Sequence, residues 1–322
     1  MNSDETASAD GSYPSFRMPD VGYLLPARIH PSAQKIHVDS QDWCREELGF
    51  TFTDKREFTE FLDCVTDLWA SMCMPDGREE VVRVDADLDY FLLILDDKHA
   101  KRIRGSAYGD EGSGFGHDPS LAWAAVEELA TIMHGQPPNQ DFPYAPVFAR
   151  IWGRATAGMS SGLRERFADT INEVAGGFAA EVAPRPQGPH PDFDFPGYTH
   201  RAKRTYGSYD EYRIMREHTI GGRYNYVLLE HALGIDMTEP LRESEKMAQA
   251  EQYILRHHFL YNDLFSYRKE LLANQHDNAL TVLQETEGLG LQESVDRLER
   301  LAKEAEDDFL VSIHEADLLV AS

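Results

Sequence analysis

The chain has 322 residues, 42% of them hydrophobic, and a formal net charge of −25. That length supplies one large domain or two ordinary ones, with enough apolar material for a sizeable core. The acidity sets nucleic acid and anionic membranes aside as partners, since either would repel most of this surface. Cys44, Cys64 and Cys73 form no Cys-x-x-Cys pair, which speaks against a disulfide framework and a zinc site. Residues 1–15 read as a disordered tail, lacking the basic start and apolar stretch of a signal peptide, and no apolar run reaches bilayer length. A cytoplasmic protein without membrane insertion is expected.

In chain order, Pro26 and Pro31 keep residues 16–33 extended, as an arm leading into a helix over about 32–48 that carries Trp43. A second helix is expected over 55–75, with Thr53 or Asp54 as its cap and Pro75-Asp-Gly as its stop. A long helix follows from about Glu79 towards Arg104. Its middle, Tyr90 to Leu95, is apolar all round, the mark of a helix buried in a bundle. Asp96 and Asp97 sit at the tip of that run, where adjacent carboxylates are costly unless a cation compensates them. Residues 105–118 read as a Gly-rich loop without the Gly-Lys-Ser/Thr ending of a phosphate-binding loop.

Helices resume at about 119–134, 144–156 and 159–182, the last starting at Ser160 or Ser161, and prolines make 183–198 an irregular connection. Ser208 with Glu211 is a capping box, and Gly221-Gly222 interrupts the helix it opens, freeing backbone carbonyls. Further helices are expected at 223–236, 243–273 and 291–320. The Gly158-Met-Ser-Ser-Gly162 match to a nucleophile elbow follows a helix, not a strand, and His257-His258 point about 100° apart on a helix, so neither forms a site. With no dinucleotide fingerprint, strand alternation or repeat, the chain reads as all-α.

Within the run 261–270, Tyr-Asn-Asp-Leu-Phe-Ser-Tyr-Arg-Lys-Glu, the residues Asn262, Ser266 and Glu270 fall one helical turn apart on one face. An amide carbonyl, a hydroxyl and a carboxylate make a hard-oxygen set suited to Mg²⁺, though a solvated helix face uses the same residue types.

Asn-Asp-Leu-x-Ser-x-x-Lys-Glu resembles the second metal motif of class I terpene synthases, enzymes that ionise and cyclise prenyl diphosphates. The resemblance implies a single-domain helical bundle of the class I terpenoid synthase type over residues 16–322. It also implies a trio of Mg²⁺ ions, with Asn262, Ser266 and Glu270 holding one. Asp96-Asp97 stands where the family has its aspartate-rich motif, Asp96 as ligand and Asp97 in support. Glu-Tyr-x-x-x-Arg-x-x-Thr-x-Gly places Arg216 as the diphosphate-sensing, catalytic arginine, and Lys269 as a further diphosphate contact. The break at Thr219 and Ile220 would present a carbonyl to the forming cation. Asn278 matches an Asn the family carries after the motif. Phe91, Leu92, and Tyr253 or Phe259 would line the cavity, although aromatics at helical spacing also serve as core. Farnesyl diphosphate is the expected substrate, with geranyl and geranylgeranyl diphosphate open, and a homodimer follows by the same analogy.

The chain departs from the pattern twice. The third acid of the first motif is missing in Asp96-Asp97-Lys98-His99-Ala100-Lys101, and no Arg-Tyr pair follows Glu270. These departures give a second reading, a non-catalytic terpene-synthase-like helical protein.

Overall fold

The helical periods of the sequence are realised as helices throughout a computed structural model. It describes residues 14–21, 27–52, 54–100, 119–182, 206–272 and 277–320, without the side chains of 97–100, 119–120, 181–182, 272 and 316–320. Residues 1–13 of the expected tail, the loop 105–118, the connection 183–198 and part of the arm, 22–26, lie outside the described residues. In chain order the α-helices are α1 (Ala33–Glu47), α2 (Lys55–Leu62), α3 (Asp67–Cys73), α4 (Glu79–Ala100), α5 (Pro119–Met133), α6 (Tyr144–Ala155) and α7 (Ser161–Val182). They continue with α8 (Tyr209–Thr219), α9 (Gly222–Leu233), α10 (Thr238–Glu243), α11 (Glu245–Leu272), α12 (Ala279–Glu287) and α13 (Leu291–Val320). No strand occurs among the described residues, and none of their helices is long and apolar enough to cross a membrane.

The caps read from sequence act as caps. Asp54 accepts from the Arg56 amide at 2.7 Å, Ser160 from Leu163 at 3.0 Å and Ser208 from Glu211 at 3.2 Å. Glu211 reaches back to the Gly207 amide (2.6 Å), one residue before the Ser208 amide that a strict capping box would use.

Three expectations need correction. The helix expected over 55–75 is two, α2 and α3, separated by a turn in which Val65 has φ of 48°, a conformation a β-branched residue rarely accepts. The turn re-aims the chain so that buried Asp67, at the head of α3, meets the Tyr90 hydroxyl and His37 Nδ1. The segment between 273 and 291 contains α12, opened by Asn278 and closed by Gly288 in the left-handed region. The middle of α4 is apolar all round, as read, but not buried all round, since Leu93 is 36% exposed.

The chain forms two compact units, each with its own apolar core. One consists of residues 1–24, 201–220 and 240–322, and the other of 25–200 and 221–239. In the first, α8, α11, α12 and α13 enclose Tyr212, Phe259, Leu264, Leu280, Leu283 and Leu298. The arm joins this core where Phe16 meets the Tyr267 ring edge-on at 6.1 Å. In the second, α4 runs through the middle, packed against α1, α3, α6, α7 and α9.

Buried α4 also carries three acids that the sequence reading passed over, Asp85, Asp87 and Asp89. Asp87 is compensated by Ser40 and by the guanidiniums of Arg83 and Arg154. Asp85 and Asp89, one turn apart, meet no such cation among the described residues. Asp89 accepts from the Tyr224 hydroxyl of α9 at 2.7 Å, and its other oxygen has no hydrogen-bond partner. Asn225, oriented with its amide nitrogen 2.7 Å from Asp85, accepts from the Trp69 indole at 3.2 Å. Burial pushes Asp85 well above the ordinary carboxylate range, with Asp89 adding to the rise. Asp89 is pushed up to about 8 by burial, with Asp67 and Asp87 adding to the rise against the Tyr224 hydrogen bond. The remaining titratable neighbour, the Cys73 thiol of α3, is itself raised by burial and by these two acids.

Asp89 therefore holds its proton more tightly folded than unfolded. Its effect on stability is absent below about pH 4, grows unfavourable as pH rises, and is complete above about pH 8. Asp89→Asn, which keeps an acceptor for Tyr224, is expected to raise the melting temperature at pH 8 and to flatten its fall between pH 5 and 8. Thermal melts of both proteins across that range provide the check, and parallel curves would exclude Asp89 as the titrating group.

Candidate metal centre

The core-facing stripe of α11 reads Phe259, Leu260, Asp263, Leu264, Tyr267, so a carboxylate occupies a position its apolar neighbours mark as interior. Asp263 is fully buried, and its carboxylate is bonded by α8 and α12 of the same unit. Its Oδ1 accepts from Arg216 Nε at 3.1 Å and Nη2 at 3.0 Å, both from α8. Its Oδ2 accepts from the Tyr212 hydroxyl, also from α8, and from the Ala279 amide of α12 at 2.9 Å. Burial pushes the Asp263 carboxyl up to about 6, with Glu270 adding to the rise and the Arg216 guanidinium opposing it.

The expected metal ligands border this stripe. Asn262 is exposed, and Ser266 and Glu270 are half-buried. Arg216 Nη2 donates to Asn262 Oδ1 at 2.9 Å, so the expected diphosphate sensor and the first ligand are in direct contact. Asn278 accepts from the Leu280 amide at 2.8 Å, capping α12. Its Nδ2 donates to the Asp263 carbonyl oxygen at 2.6 Å and to Glu270 Oε2 at 2.8 Å. A second clamp between α8 and α11 comes from Glu217, whose Oε1 accepts from Arg213 Nη1 at 2.7 Å and Arg256 Nε at 2.6 Å. Next to Arg216, His258 is pushed down to about 4 by burial first, then by Arg216 and His257.

The donor set fits a hard divalent cation. Ser266 Oγ is buried and has no hydrogen-bond partner, a cost that an oxygen-seeking ion would remove. Asn262 Oδ1 keeps a second lone pair beyond the one Arg216 uses, and Glu270 keeps Oε1 beside the oxygen bonded to Asn278. No group of three or more His, Cys, Asp or Glu side chains among the described residues is placed to hold a metal, so the mixed Asn/Ser/Glu set is the candidate.

The remaining expected residues are distributed as follows. Lys269 is exposed. The break after Arg216 is present: α8 ends at Thr219, Ile220 donates its amide to the Arg216 carbonyl at 3.0 Å, and Gly221 takes φ of 77° to open α9. Only glycine adopts that angle readily. In the other unit Asp96 is half-buried near the end of α4, and the side chain of Asp97 lies outside the described residues. Phe91 is fully buried against Phe148 (5.5 Å between ring centres) and Tyr144 (6.4 Å). Leu92 is buried, and Phe259 packs edge-on against Tyr212 in the core of its own unit. Tyr253 is half-buried beneath the Arg256 guanidinium at 5.0 Å. Sequence reasoning passed over Asp263 and Tyr212, although an acid within an i, i+4 apolar stripe was a readable signal.

Residues 198–308 match the family model described as terpene synthase family 2, C-terminal metal binding, a span that includes Arg216, Asn262, Ser266, Glu270 and Asn278. Over those residues the chain carries the metal-binding domain of terpene synthase family 2. It resembles pristinol synthase of Streptomyces pristinaespiralis, 24% identical over 304 residues, 93% of this chain and 73% of that protein. It is also similar to sesquiterpene synthase Agr3 of Cyclocybe aegerita, 27% identical over 299 residues, 92% of this chain and 77% of that protein. Among solved structures, hedycaryol synthase in complex with HEPES shares the fold with a TM-score of 0.73 at 19% identity, covering 94% of this chain and 87% of that one. These relatives and structural neighbours are terpene synthases, which are enzymes, and the chain shares the all-α fold of the class I structures.

Asn278→Ala removes the cap of α12 and leaves the buried Asp263 carbonyl oxygen without that donor. The expected cost is about 1–3 kcal/mol. It should be read as a lower urea midpoint with an unchanged slope, whereas an unchanged midpoint would show that the Asn278 bonds contribute nothing net.

Proposed function

We propose that the chain is a Mg²⁺-dependent terpene synthase that ionises farnesyl diphosphate and cyclises the allylic cation to a terpene hydrocarbon or alcohol, releasing diphosphate. Asn262, Ser266 and Glu270 are the residues to hold one ion, and Asp96, supported by Asp97, the residue to hold others. The ions supply Lewis-acid stabilisation of the charge that gathers on the leaving diphosphate. Arg216, held by Asp263 through its Nε–Nη2 edge, turns its remaining guanidinium donors to phosphate oxygens, and Lys269 adds a compact charge. The helix break at Thr219 and Ile220 frees a carbonyl whose dipole suits a nearby cation, and Phe91 offers a ring face for the same purpose. The reaction requires that water be kept out, since it would capture the cation before ring closure.

One observation carries this reading. A buried Ser266 hydroxyl without a partner stands one turn from Asn262 and one turn from Glu270, with Arg216 already bonded to Asn262. The fifteen-carbon substrate is supported by the word sesquiterpene in the name of the Cyclocybe aegerita relative.

Incubation with geranyl, farnesyl and geranylgeranyl diphosphate, with and without Mg²⁺, tests the proposal by gas chromatography–mass spectrometry. A Mg²⁺-dependent cyclic product from farnesyl diphosphate is expected, with kcat/KM lowered about a hundredfold or more in Asn262→Ala and Glu270→Ala. A folded chain that gives no product from any of the three would sink the proposal.

A further inference from the structure

Asp263 is adjacent in sequence to a proposed metal ligand, carries a full carboxylate and lies in the same motif, yet its geometry suits a different task. Both of its oxygens are taken by protein donors: Oδ1 by Arg216 Nε and Nη2, and Oδ2 by the Tyr212 hydroxyl and the Ala279 amide. The side chain is fully buried on the core side of α11, whereas Asn262 is exposed. A carboxylate so enclosed is not available to a cation at the Asn262 face.

What it does hold is one edge of a guanidinium. An arginine that reads a phosphate has to present its donors at a fixed position, and a free arginine side chain loses considerable rotamer freedom in doing so. Here the Nε–Nη2 edge is anchored on a buried oxygen that cannot move without disturbing α12. Asn278 extends the frame, joining the Asp263 carbonyl oxygen to Glu270 Oε2. The frame therefore links the arginine at one end of the motif to the carboxylate at the other.

We infer that Asp263 is a positioning residue, which pre-sets Arg216 for a diphosphate group in register with the Asn262–Ser266–Glu270 face. This inference rests on the reading of Arg216 as a diphosphate contact.

Inorganic pyrophosphate with Mg²⁺, titrated by calorimetry, separates positioning from plain structural support. Asp263→Asn and Arg216→Gln are each expected to weaken pyrophosphate binding about tenfold or more, and the double variant to be no weaker than Arg216→Gln alone, because Asp263 acts through that arginine. Tyr212→Phe removes a donor from the other carboxylate oxygen. It is expected to lower the melting temperature while leaving pyrophosphate affinity within about twofold. A second measurement requires no variant at Asp263. In wild-type protein with labelled arginine, the Arg216 Nε–H resonance, identified by its loss in Arg216→Lys, should exchange slowly with solvent both before and after pyrophosphate is added.

Wild-type affinity in Asp263→Asn, losses that multiply in the double variant, or rapid exchange at Arg216 Nε would each overturn the inference while leaving the proposed function standing. A wild-type chain that binds no pyrophosphate in Mg²⁺ would overturn both.

Discussion

A carboxylate without water around it must take its hydrogen bonds from the protein, and this requirement at Asp263 organises the unit that contains α11. Four donors from two other helices converge on one side chain of α11, and its backbone oxygen collects a fifth from Asn278. Such a buried ion pair adds little net stability over a well-packed apolar core, because desolvation offsets most of the Coulombic gain. Its effect is selective: an alternative packing of α8 or α12 would strand the charge, at a cost of about 3–5 kcal/mol. The site thus inherits its geometry from a core constraint, with Arg216, Asn262 and Glu270 placed at its rim.

The other unit handles its buried acids differently. Asp87 is met by two arginines, as a charge should be, but Asp85 and Asp89 are met by an amide and a phenol. Neutral partners suit neutral carboxyls, and the raised values at both positions agree with that. Burial raises all three carboxyls, but at Asp87 the Arg83 and Arg154 guanidiniums oppose the rise, whereas Asp85 and Asp89 meet only neutral partners.

Much of this was readable from the chain. The apolar period of α4, the Asp54, Ser160 and Ser208 caps, and the one-turn spacing of Asn262, Ser266 and Glu270 are local patterns, and local patterns survive folding. What escaped was local structure decided by distant partners. Val65 breaks a helix that its neighbours would continue, because Asp67 is needed by Tyr90 and His37. The short α12 was hidden by its length, although Asn278 and Gly288 bracket it with ordinary stop and start chemistry. Asp263 was visible as a letter in the motif, but its partners come from α8 and α12, and no spacing rule connects them. Buried acids on α4 were overlooked for the same reason, since the hydroxyl that meets Asp89 is 135 residues away.

That separation bears on how the protein is made. The core of the unit built on α4 includes Tyr224, Val227 and Leu228 of α9, and the Arg78 guanidinium reaches the His231 carbonyl at 2.8 Å. Helices α1 to α7 therefore leave the ribosome before α9, which completes their core, with α8, which belongs to the other unit, emerging in between. Through that interval Asp89 lacks its phenol and the apolar faces of α3, α4 and α7 that α9 will cover stand open. Nascent chains in this state carry the exposed surface that chaperones recognise, and closure waits on a contact of long sequence separation. A fragment ending at residue 200 would stay in that unfinished condition, because the unit it represents is not a continuous stretch of chain.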